Sequence, residues 1–61
     1  MALIKLEGKN RTEIVINTDD ISSAYIDSGY SYTDYVLVMK AGTTFGISQE
    51  SYYKLKRLAD Q

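Results

Sequence analysis

The chain has 61 residues, no cysteine, no histidine and a formal net charge of −1. We expect a single domain over residues 1–61, and a chain of this size buries only about 60% of the surface that its unfolded form exposes. The missing residue types exclude disulfides and ordinary zinc ligation, which leaves association with other subunits as the expected source of extra stability. No apolar run is long enough to span a membrane, and the N-terminus lacks a signal-peptide pattern, so a cytoplasmic location is expected.

The N-terminal half predicts two strands joined by a tight turn. Apolar and polar residues alternate over 2–6 and again over 11–16, and Gly8 lies in the polar break between them. A short helical turn is predicted at 17–20, capped by its asparagine or its threonine. Ile21 is then expected to enter the core.

The C-terminal half predicts three further strands, over 22–27, 34–40 and 43–47. The middle one is apolar on both faces, which is typical of a central strand. Residues 30–33 are compatible with either a strand or a loop. A tight turn precedes the last strand, with Gly42 in the left-handed region.

A helix is predicted over 49–59, where apolar residues recur at helical spacing. Ser48 has the features of an N-cap, and Glu50 lies in the first turn, where the helix dipole favours an acid. The fold class is therefore α+β: a small antiparallel β-meander of about five strands with one C-terminal helix packed on one face. Because the helix covers only one side, the opposite apolar face predicts a homo-oligomer. The residues expected on that face are Leu3, Val15 and either Val36 with Val38 or Leu37 with Met39.

Several chemistries are missing from the sequence. Without histidine or cysteine, the usual hydrolase bases, nucleophiles and zinc ligands are absent, and the glycines form neither GxxxxGK nor GxGxxG. The four aspartates Asp19, Asp20, Asp27 and Asp34 match no calcium-loop spacing and are explained as turn residues. We expect no enzyme, no catalytic residues, no cofactor and no metal site.

Four of the six tyrosines fall between residues 25 and 35, interleaved with serine, glycine and aspartate. This composition is typical of binding loops, in which rigid amphipathic rings stand among adaptable polar residues. One alternative is cross-strand pairing of the rings to stabilise a thin sheet. Another is stacking on single-stranded nucleic acid, which the lack of nearby cations disfavours. We interpret the group as a protein-binding surface with acids that steer a basic partner. Its residues are Tyr25, Asp27, Tyr30, Tyr32, Asp34 and Tyr35.

A second group consists of the helix cations Lys54, Lys56 and Arg57. They are a possible nucleic-acid-binding site, because cations on one face add affinity for phosphates. The alternative is that they complement the helix C-terminus and solubilise its outer face, and the net charge favours this second interpretation.

The order MxxIKLxGK … IxIN-x-DDI … YVLVMKAGTTFGISQES resembles the small flagellar FlbD-like family. That family shares a Gly-Lys turn, an Asn-containing turn before a buried Ile, and a strand that runs through E-S into a helix. The matching positions are Ile4, Leu6, Gly8, Lys9, Asn17, Asp20, Ile21, Val36, Leu37, Gly42, Phe45, Ile47, Glu50 and Ser51. The resemblance implies this fold and a motility-related role. Here the DSGYSYTDY insertion is longer and richer in tyrosine than the family's middle hairpin, and no proline follows Asn17.

The leading hypothesis is a non-enzymatic protein–protein interaction module, a small bacterial or phage-type regulator or inhibitor that acts through its tyrosine-rich hairpin. Two alternatives stay open. One is a nucleic-acid-associated regulator that uses the basic helix, and the other is an oligomer that binds a small ligand where its subunits meet.

Overall fold

The computed structural model describes residues 2–60. The elements in chain order are β1 (Leu3–Glu7), a 3-10 turn (Lys9–Arg11), β2 (Glu13–Asn17), a second 3-10 turn (Thr18–Asp20), β3 (Ile21–Ser28), β4 (Thr33–Met39), β5 (Thr44–Ile47) and α1 (Gln49–Ala59). The predicted α+β class and order of elements are confirmed. Of the stretch left open, residues 30–32 lie in the loop between β3 and β4, whereas Thr33 begins β4. Neither α1 nor any other helical segment within this range is long and apolar enough to cross a membrane.

The strands form two antiparallel sheets rather than one continuous meander. β1 pairs with β2, while β3, β4 and β5 form a second sheet with β4 in the centre, as predicted. The 3-10 turn after β2 redirects the chain, so β2 and β3 follow one another without pairing. The two sheets are joined elsewhere, by a bridge between Gly8 and Ile47 and by a 2.9 Å hydrogen bond from Ser48 N to Glu7 O.

Three local predictions about turns and caps are confirmed. Asn17 caps the second 3-10 turn, since its Oδ1 accepts a hydrogen bond of 3.0 Å from Asp19 N. Ser48 caps α1, since its Oγ accepts one of 3.1 Å from Ser51 N. Gly42 has φ of 93°, a conformation that costs a residue without a Cβ little.

The core lies between the two sheets and the helix. Its buried side chains come from both sheets: Leu6 and Ile16 from the first, Leu37 and Ile47 from the second. Partly buried apolar residues surround them, including Ile21, as predicted, and the helix residues Tyr52 and Leu55. Alternation along β1 and β2 therefore has the predicted phase.

The faces that point away from this core carry exposed apolar residues, as predicted. Leu3 and Val15 are both exposed. In β4 the structure decides between the two pairs, because Leu37 is fully buried and Met39 packs against the core. Val36 and Val38 therefore lie on the opposite face, where they are half-buried.

Candidate functional site

The candidate site is the distal part of the hairpin formed by β3 and β4. The two strands pair in regular register up to Ser28 opposite Thr33, and residues 29–32 form the connecting loop. Gly29 N donates a hydrogen bond of 3.0 Å to Tyr32 O, which closes the loop. The loop is thus a short, hydrogen-bonded turn that presents its tip from a rigid ladder.

Four large side chains are exposed on this hairpin within eight residues. Tyr30, at the loop tip, is fully exposed, with 111% relative accessibility. Tyr25, Tyr32 and Ile26 are about half exposed, at 48%, 52% and 45%. Tyr25 pairs with Val36, on the face away from the core. Ile26 was not among the predicted site residues, because a β-branched residue in a strand ordinarily indicates a core position.

Tyr32 is held against the loop backbone. Its ring lies over Gly29 so closely that a Cβ at position 29 would overlap the ring atoms. A glycine is therefore required for this ring position. The contact orders Tyr32 while about half of its surface stays available.

Tyr35 is placed differently from the other three tyrosines. It is half-buried, packs against the core, and its ring centroid lies 5.4 Å from that of Tyr52 on α1. Tyr52 in turn lies 5.5 Å from Tyr53 in an edge-to-face arrangement. For Tyr35 the structure thus shows aromatic packing that attaches the helix to the sheet.

The two aspartates of the predicted site lie directly opposite each other on the ladder, Asp27 across from Asp34. Lys9, from the β1–β2 connection, reaches over β5, and its stem packs on Gly46. Its Nζ lies 2.7 Å from Asp34 Oδ1. Lys9 thereby offsets the repulsion between two carboxylates on neighbouring strands.

Replacing Lys9 with methionine is expected to destabilise the fold by about 0.2–1 kcal/mol, the range for an exposed ion pair, because the aspartate pair loses its cation. Urea denaturation followed by circular dichroism measures the change. In an Asp34→Asn background the same Lys9→Met substitution should be close to neutral. Equal losses in both backgrounds would show that the ion pair between Lys9 and Asp34 is not the source of the stabilisation.

The three helix cations do not share one surface. Lys54 and Arg57 line a groove of about 480 Å³ together with Lys5 and Arg11. Lys56 instead lines a separate, more apolar groove between the helix and the start of β3. Of the residues predicted for nucleic-acid contact, the structure therefore brings two together and separates the third.

The cationic groove also contains acids, which sequence reasoning did not place there: Glu7, Glu13 and Glu50. Lys5 Nζ lies 3.7 Å from Glu13 Oε1, and Lys54 Nζ donates a hydrogen bond of 3.0 Å to the Lys5 carbonyl oxygen. Among residues 2–60, Lys5 and Lys54 thus have partners within the protein. Phosphate binding is weakened by such a mixture of charges.

Within residues 2–60, no three acidic side chains come close enough together to hold a metal ion. Comparison of the chain with protein-family models, with curated proteins and with solved structures finds no match. The resemblance to the FlbD-like family stays a prediction, and the function has to be argued from the site itself.

Proposed function

We propose that this chain is a non-enzymatic protein-binding module, a small regulator or inhibitor that docks the loop of its β3–β4 hairpin onto another protein. The observation that carries the proposal is the exposure of Tyr30, Tyr32 and Tyr25 on one short hairpin. Large aromatic side chains with few rotatable bonds supply contact area at low entropic cost. Such residues are the usual anchors of protein interfaces.

The rigidity of the loop supports this role. Its closing hydrogen bond and the contact of Tyr32 with Gly29 order the loop before any partner binds. Ordering in advance reduces the entropy that binding costs. Tyr30 would be the central anchor, with Tyr32 and Tyr25 beside it.

The charges near the loop favour a basic partner. Within residues 2–60 Asp27 is exposed and the structure shows no cation paired with it, whereas Asp34 is paired with Lys9. Tyr35 would act indirectly, by attaching the hairpin to α1. Steering by Asp27 would raise the association rate more than the affinity.

We further propose that the module works as a homo-oligomer. The chain exposes 4503 Å², whereas a compact monomer of 6.9 kDa is expected to expose roughly 4000 Å². The chain therefore exposes roughly 500 Å² more than a compact monomer of its mass. Exposed Leu3 and Val15 and the hairpin residues contribute to it.

Affinity capture from bacterial lysate tests the binding role, with nuclease-treated and untreated samples read by mass spectrometry. The variant is the double substitution Tyr30→Ser with Tyr32→Ser, and the matched control is Tyr53→Ser, an exposed tyrosine on the helix. We expect the control to retain a specific, nuclease-resistant protein, and the double variant to lose it by about tenfold or more, as expected for interface anchors.

Equal capture by wild-type protein and the double variant would contradict the proposal. Loss of the captured material on nuclease treatment would instead favour the groove lined by Lys5, Arg11, Lys54 and Arg57. In that case retention should fall steeply with added salt. A small molecule that survives in native mass measurement would favour the ligand-binding oligomer.

A further inference from the structure

The edge of the second sheet is open. β3 forms one end of the strand order β3-β4-β5, and within residues 2–60 no strand lies on its outer side. Its eight residues include no proline, lysine or arginine, the residues that commonly block an exposed edge. The register shift between Ile21 and Ser23 is confined to its beginning. The remaining backbone groups can accept another strand.

We propose that this edge pairs with β3 of a second copy, antiparallel and with Ala24 opposite Ala24 on a two-fold axis. The inference rests on the proposed homo-oligomer and specifies which surface forms it. Such an interface is isologous, so each contact occurs twice.

The order of side chains along β3 is self-complementary in this register. Its first half carries the small residues Ser22 and Ser23, and its second half the large residues Tyr25 and Ile26. Pairing around Ala24 places Tyr25 opposite Ser23 of the second copy, and Ile26 beside Ser22, the residue at the register shift. Each large exposed side chain therefore meets a small one.

In this register, Ile26 of one copy lies next to an apolar groove of the second copy. Ser22 lines the apolar groove of about 450 Å³ between the start of β3 and α1, which Ile21, Leu55 and Leu58 also line. Ile26 pairs with Tyr35 on the core-facing side of its own sheet, so in the second copy it points toward the helix side of the interface. Leu58, itself exposed, would be covered at the same time.

The charges on β3 agree with a pair of copies. Asp27 is the single charged residue of β3. In the two-fold register the two Asp27 side chains are offset by six residues, or roughly 20 Å, beyond the Debye length of about 10 Å.

The pairing has a consequence for the proposed binding role. Two sheets of three strands would join into one of six, with the two Tyr30 loops at opposite ends. The loops would lie about 40 Å apart, because each is about six residues from the axis. A partner with two matching sites would then bind by avidity.

Sedimentation equilibrium tests the interface with Ile26→Lys as the variant and Leu3→Lys as the matched control. Leu3 is 71% exposed on the other sheet, so both variants add a lysine at a solvent-accessible apolar position. We expect wild-type protein and the control to form dimers, and Ile26→Lys to weaken the dimer at least tenfold. Circular dichroism checks that all three proteins are folded.

Cysteine pairing tests the register, since the chain has no cysteine of its own. Under oxidation, a mixture of Ser23→Cys and Tyr25→Cys chains should form the mixed disulfide faster than either chain links to itself. A mixture of Ser23→Cys and Tyr53→Cys chains provides the background. Preferential formation of the mixed 23–25 disulfide supports the proposed pairing.

Two results would overturn the inference in distinguishable ways. If the wild-type protein stays monomeric at all concentrations, the proposed homo-oligomer is wrong. The open edge of β3 would then be a site for an extended segment of another protein. If the dimer persists in Ile26→Lys but dissociates in Leu3→Lys, the protein is a homo-oligomer whose interface lies on the first sheet and not on β3.

Discussion

Replacing Leu37 with alanine is expected to destabilise the protein by about 2–5 kcal/mol, the range for truncating a buried leucine. Leu37 is fully buried, at 0% exposure, in the central strand β4. It packs with Leu6, Ile16 and Ile47, so the truncation opens a cavity where both sheets meet. The whole domain is expected to have only about 3–9 kcal/mol of stability, so a large fraction of the variant should be unfolded in water.

Val36→Ala is the matched control, because Val36 is the neighbour of Leu37 on the opposite face of the same strand and is half-buried. Its loss should be well below that of Leu37→Ala. Urea titration with an unchanged m-value measures both variants. If Val36→Ala proved the more costly substitution, Val36 and not Leu37 would face the core.

Which face of β4 meets the core could not be predicted from the sequence, whereas the buried faces of β1 and β2 could. The charged residues of β1 and β2, Lys5, Glu7 and Glu13, share one face, so the buried faces of these strands could be assigned directly. β4 is apolar on both faces, and alternation then carries no information about which face meets the core. Only the register with β3 and β5 decides it.

The division of the strands into two sheets could not be predicted from the sequence either. Nothing in the sequence between β2 and β3 shows that these strands do not pair, because a polar turn is compatible with a hairpin. The link that replaces their pairing joins Gly8 to Ile47, which are distant in the sequence. Contacts of this kind depend on tertiary packing and leave no local pattern.

The candidate site shows the same limit. Clustering of tyrosines was visible in the sequence, and the orientation of Tyr25 followed from its neighbours. Tyr35 faces inward because it lies two residues before Leu37 on the core-facing side of β4, where its ring contacts Tyr52, so its orientation depended on the same undecided phase. Ile26 is exposed because it lies on the distal part of the hairpin, where less of the core covers it.

Ser51→Ala is the second substitution with a large expected effect, about 1–3 kcal/mol, because its hydroxyl makes two hydrogen bonds to Glu7 and each contributes about 0.5–1.5 kcal/mol. Ser51 is a buried polar residue, at 5% exposure, on the first turn of α1. Its Oγ accepts a hydrogen bond of 2.7 Å from Glu7 N and donates one of 3.1 Å to Glu7 O. The variant keeps a bond to Glu7 O, from Ser48 N, but leaves the Glu7 amide without its acceptor.

Hydrogen exchange at the Glu7 amide distinguishes this mechanism from a general loss of helix stability. Ser48→Ala is the control, since it removes the N-cap and is expected to cost about 0.5–2 kcal/mol while leaving the Ser51 hydroxyl in place. Only Ser51→Ala should expose the Glu7 amide to fast exchange under native conditions. Equal protection of that amide in the two variants would show that this hydroxyl does not hold α1 to β1. The helix would then be attached mainly through Tyr52 and Leu55, which pack against the core and line the groove beside β3.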